Sequence, residues 1–257
     1  MIDARVQLHW ALQVLARFGD VHVPARADFS HSALLWDPER RRFQTEIDPG
    51  GRRLAFDPVA FSYRLLAGNA GEASFALGGA TLDEALTWLS SLPGESATLE
   101  VGEPDIPAHL VGSGGRFDPD GTDLGSLAAR FHEAHQALTA VRQARPDASP
   151  VRCWPHHLDI AVLIALDGPD ADSETARSVG AGMTPGDGTY PEPYWYVTPW
   201  PYPEARDLPA LPSGAAWHTD GWIGAVLRGE DAATAGEEGL ARYLAAAIAA
   251  CEVLAGA

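Results

Sequence analysis

The stretch VRCWPHHLDIAVLIAL, residues 151–166, limits the fold more than any other. It ends in an unbroken aliphatic run, residues 160–166, which is far too short to cross a bilayer. An aliphatic run of that length reads as a central core strand, and the polar residues before it invite a chemical reading.

Side chains alternate along a strand. If 151–166 is one strand, His157 and Asp159 share a face with Ala161, Leu163 and Ala165, and His156 points the other way with Leu158, Ile160, Val162 and Ile164. Imidazole and carboxylate both suit zinc or another divalent metal, so His157 and Asp159 are candidate ligands. A third ligand has to come from elsewhere, and His218 in WHTDGW (217–222) is the candidate, with Asp220 beside it. Two other readings stay open. The His–Asp pair could do acid–base work without metal, or the histidines could simply bond backbone at the ends of a sheet. His31, in FSHSALLW (29–36), precedes another apolar run and joins Asp159 as a candidate catalytic group.

Around this strand the chain changes period several times. Val6, Trp10, Val14 and Phe18 predict a helix over 4–18, closed at Gly19. Phe43, Thr45 and Ile47 alternate with polar residues, DPGG (48–51) marks a turn, and Phe61, Tyr63 and Leu65 alternate again. Residues 21–78 therefore read as an antiparallel meander. Thr81 with Glu84 forms a capping box for a helix bearing Leu82, Leu86, Leu89 and Leu92, which PG (93–94) would end. A long helix is expected over 122–145, strands near 176–182, 194–198 and 222–227, and a final Ala-rich helix over 231–255.

Strands followed by a helix thus occur twice. The expected fold is α+β, with antiparallel sheets and flanking helices, and two related halves around a cleft: 1–121, and 122–257 including the linking helix.

Composition narrows the chemistry. The 18 basic residues are all arginine, against 35 acidic ones, for a net charge of −17. So acidic a chain repels phosphate backbones and anionic membranes, which argues against nucleic-acid and membrane partners and leaves a small molecule as the expected one. With no lysine there can be no Schiff base, hence no pyridoxal phosphate chemistry, and no lysine-bearing phosphate loop. Two cysteines without a C-x-x-C, and a first segment without a charged-then-apolar leader, lead us to expect a soluble cytoplasmic protein with free thiols. Nothing in the sequence sets the oligomeric state.

FHEAHQAL (131–138) is close to a zincin signature, but His132 and His135 are three apart rather than four, and His135 falls on the apolar stripe as a packing residue. In 180–203 the glycines do not fit a dinucleotide loop, so no dinucleotide is expected. The second half of that segment sets Tyr190, Tyr194, Trp195, Tyr196, Trp200 and Tyr202 among prolines. Rigidly held aromatics make good ligand-pocket walls or a good sheet cover. Tyr194, Trp195, Tyr196 and Trp200 are candidate ligand contacts, and Glu192, between two prolines, is a candidate catalytic carboxylate.

Several of these features together resemble a bacterial family catalogued as a domain of unknown function. They are Trp10 in the first helix, His31 before an early strand, Ser149-Pro150-Val151 with Asp159-Ile160-Ala161 following, Gly182 with Pro185-Gly186, and the Tyr/Pro segment 190–203. The resemblance covers most of the chain in order, and each motif is short. Where the family pattern has small or aromatic residues, this chain has His156 and His157. The resemblance therefore implies that Asp159 and His31 are shared features and that a site built on both histidines is not.

Overall fold

The computed structural model describes residues 1–68, 71–92, 99–168, 171 and 175–256, among which lie four α-helices and two antiparallel sheets, an α+β fold. The chain divides into two compact units, Met1–His132 with Arg152–Leu158, and Glu133–Val151 with Asp159–Ala257. The division falls inside the long helix rather than at its start. The PG pair at 93–94 lies outside the described residues.

In the first unit, α1 (Ile2–His22) is followed by β1 (Leu35–Asp37), β2 (Arg42–Gln44), β3 (Arg53–Asp57), β4 (Ser62–Leu66) and β5 (Glu72–Ala76). The five strands pair in sequence order, the meander that the alternation predicts. Its core is aromatic. Phe43 meets Trp36 and Phe131 edge-on at 4.9 and 4.8 Å, and the Tyr63 hydroxyl donates to the Ala11 carbonyl of α1 at 2.8 Å. Phe43 and Thr45 are buried as alternation requires, but Ile47 is 53% exposed. The turn begins there: the Asp48 carboxylate accepts from the Arg52 backbone N–H at 2.8 Å, and Gly51 takes φ +79°. Helix α2 (Leu82–Ser90) opens on the expected capping box, with the Thr81 hydroxyl accepting from the Glu84 N–H and the Glu84 carboxylate accepting from the Thr81 N–H.

The 151–166 stretch is not one strand. It forms β6 (Arg152–Trp154), a turn, and β7 (Asp159–Ala165). Pro155 has no N–H for a ladder, the Trp154 carbonyl accepts from the N–H groups of His157 and Leu158, and Leu158 adopts φ +57°. His156 and His157 therefore sit in an exposed turn, and the alternation that paired His157 with Asp159 on one strand face does not hold.

Helix α3 (Gly121–Ala144) leads into the second unit, whose strands are β7, β8 (Ser178–Thr184), β9 (Tyr194–Trp200), β10 (Ala215–His218) and β11 (Gly224–Arg228), followed by α4 (Gly229–Leu254). The strand order within this unit is β10-β11-β9-β8-β7. Helix α4 covers one face. Its Tyr243 hydroxyl donates to the Ala225 carbonyl at 2.8 Å and its Cys251 thiol to the Val197 carbonyl at 3.5 Å. Register puts Ile160, Val162, Ile164, Val179, Ala181, Met183, Trp195 and Val197 on that covered face, all of them buried. Among the described residues no helix is long and apolar enough to cross a membrane.

Candidate functional site

The uncovered face of the second sheet holds the residues of interest. Cross-strand rows fix who stands beside whom: Ala161, Gly182 and Tyr196 in one row, Leu163, Gly180 and Thr198 in the next, Ala165, Ser178 and Trp200 in the outermost. Gly182 leaves room for the Tyr196 ring to lie across β8. A Cβ there would fall 2.6 Å from the Tyr196 hydroxyl and 2.7 Å from the Ile160 carbonyl. The ring reaches over the glycine to β7, and its hydroxyl donates a short hydrogen bond to Oδ2 of Asp159. Asp159 is 6% exposed, so the carboxylate is kept at the inner end of this face by that phenol and its strand.

A second pair stands beside it. The Tyr194 hydroxyl donates to Oδ2 of Asp187 at 2.6 Å, and Oδ1 of Asp187 accepts from the N–H groups of Thr189 and Tyr190 at 2.7 and 2.8 Å. The Tyr190 ring lies 4.8 Å from Tyr194, and Tyr194 lies 6.4 Å from Tyr196. His218, on edge strand β10, has its Nε2 2.7 Å from the Asp220 carbonyl and its Nδ1 2.9 Å from the Tyr190 hydroxyl. A carbonyl only accepts, so in the neutral ring Nε2 carries the proton and the bare Nδ1 accepts from the phenol. Trp222 stacks on the same imidazole at 4.3 Å.

The electrostatics of these phenols decide what they can do. Burial first, then the neighbouring Asp159 charge, holds Tyr196 well above the usual phenol range. Burial and Asp187 do the same to Tyr194. Both remain protonated donors at any physiological pH, so neither acts as a base or a nucleophile.

Toward the outer rows the face opens to solvent. Leu163, expected inside the core strand, is 50% exposed, and Trp200 and Tyr202 are 42% and 45% exposed. Alternation explains Leu163: it points away from α4, and its cross-strand neighbour is Gly180, which supplies no side chain to cover it. Gly180 is itself half-buried, its position bordered by the Thr198 methyl, 3.4 Å from where a Cβ would stand.

Of the residues singled out in the sequence, Asp159, Tyr194, Tyr196 and Trp200 share this face. Trp195 lies on the opposite one, beneath α4, as strand alternation demands. Glu192 is exposed in the turn before β9. His31 belongs to the first unit, where its Nδ1 accepts from the Arg26 N–H at 3.1 Å and its Nε2 lies 3.6 Å from Asp20. His157 is also in the first unit, with its ring 4.2 Å from that of His156. Among the described residues no group of three or more His, Cys, Asp or Glu side chains is arranged to hold a metal ion. The sequence reading set Leu163 on the Asp159 face but missed Asp187 and the two glycines. Their signal was present in Gly180-x-Gly182, a gap on one strand face opposite alternating Tyr196 and Thr198. Comparison with protein-family models, with curated proteins and with solved structures finds no match for this chain.

Proposed function

We propose that this is a small-molecule-binding protein rather than an enzyme, and that its ligand lies on the uncovered face of the second sheet, over Gly180. The observation that carries the reading is the solvent-open row Leu163, Gly180 and Thr198, set between the exposed Trp200 rim and the buried Asp159–Tyr196 pair. Glycine backbone gives a flat seat, apolar rims supply contact area, and a few fixed polar groups at one end supply orientation. Tyrosines committed as donors to carboxylates favour binding over proton transfer.

Nile red, a neutral planar dye, tests this directly. Its emission should rise to saturation with wild-type protein. Gly180→Ala, which raises the floor of the seat, and Leu163→Thr, which trims its rim, should both weaken that response while circular dichroism stays unchanged. A wild-type protein that gives no saturable signal, or variants that bind the dye equally well, would overturn the proposal.

A further inference from the structure

The aromatic rims and the carboxylate of this face point to a ligand class. We infer that the site takes a small organic cation, a quaternary or alkylated ammonium group; this rests on the binding reading above.

Three observations support it. First, the ring surfaces are in place. Trp200 and Tyr202 stand edge to face at 5.3 Å, both strongly exposed, and Trp200 is on the same strand face as Tyr196. The negative faces of aromatic rings attract cations, most strongly when the cation gives up little hydration, as alkylated ammonium groups do. Second, the protein already uses this attraction close by: the Arg228 guanidinium sits over the Tyr190 ring at 5.5 Å. Third, the fixed charges favour a cation. Asp159 and Asp187 lie at the inner end of the face. Arg177, just before β8, is held by Asp167 at 2.7 Å and by the Gly256 carbonyl at 2.6 Å, so its charge is compensated locally. The chain as a whole carries −17, a field that concentrates cations and repels anions.

An anionic ligand would have to approach two carboxylates. A purely apolar one would gain nothing from the Asp159 end of the site. An alkylated ammonium meets both requirements, with apolar methyl groups over Gly180 and positive charge facing the rings and the carboxylate.

Choline and its uncharged carbon isostere, in which a tert-butyl group replaces the trimethylammonium, differ in charge at nearly constant shape. Isothermal titration calorimetry should give choline an affinity higher by roughly tenfold. Tyr202→Ala should erase most of that advantage and Tyr202→Phe should keep it, since the ring rather than the hydroxyl carries the attraction. Asp159→Asn should lower the choline-to-isostere ratio without abolishing Nile red binding. Equal affinity for the two compounds, or an unchanged ratio in Tyr202→Ala, would overturn the inference while saturable Nile red binding left the binding reading standing. No heat with either compound and no Nile red response would overturn both.

Discussion

At the scale of single residues, the site depends on an absent side chain. Gly182 is the gap through which Tyr196 reaches Asp159, so Gly182→Ala should cost about 1–3 kcal/mol by overpacking, read as a lowered urea midpoint. The neighbours cannot simply give way, because one of them is the Ile160 carbonyl in the adjacent strand. The phenols set a limit in alkali. Tyr63, Tyr194, Tyr196 and Tyr243 all have ionisation pushed upward by burial. A group whose folded pKa is raised contributes stability below its unfolded value, near 10 for tyrosine, and loses it as pH climbs beyond that value. Phenolate absorbance from these residues should therefore appear together with the loss of near-ultraviolet circular dichroism. Ionisation that clearly preceded unfolding would contradict their burial.

At the scale of elements, local signals and long-range packing contribute in different proportions. Helix α2 announces itself through Thr81 and Glu84, and both reciprocal bonds form. Thr81→Ala should cost roughly 1 kcal/mol, measurable by chemical denaturation, because one helix-end N–H loses its acceptor. The last helix was legible from its Ala/Leu stripe. Gly236, at φ +67°, interrupts the helical backbone within it, which the stripe alone does not reveal. The β6–β7 turn was misread for a physical reason. The aliphatic run after Asp159 draws the residues before it into one apparent strand, and strand alternation says nothing about where the chain reverses. Strand β10 was passed over because four residues carry too little pattern to register.

At the scale of the whole molecule, two groups of the first unit should lower stability as pH falls. His9 is buried in α1 with its Nε2 donating to the Pro155 carbonyl at 2.7 Å, and burial pushes its pKa down to about 4. The neutral ring is favoured in the folded state, so its contribution is intact above the unfolded value, near 6.5, and declines as pH drops toward 4. The loss should be on the order of a few kcal/mol. His9→Gln can keep a donor to Pro155 and should flatten the dependence of Tm on pH over that interval; an unchanged slope would rule His9 out as the cause. Glu46 follows. The Arg26 guanidinium, and then Arg152, hold it at about 2, so its ion pairs contribute above about 4.5 and are lost as pH falls toward 2. Helix α1 runs past its expected stop at Gly19 to His22, but the sequence by itself determined the α+β class, the meander, the extents of α3 and α4 to within two residues, and a charge balance hostile to polyanions. Those properties follow from periodicity, caps and composition, which act between residues near in the chain or on the chain as a whole. The tertiary structure alone decided that Asp159 meets Tyr196, that Trp195 turns beneath α4 while Tyr194 and Tyr196 do not, and that Leu163 faces solvent. Each of these depends on strand register and on what lies across the sheet, and a side chain's partner thirty-seven residues away leaves no periodic trace in the sequence.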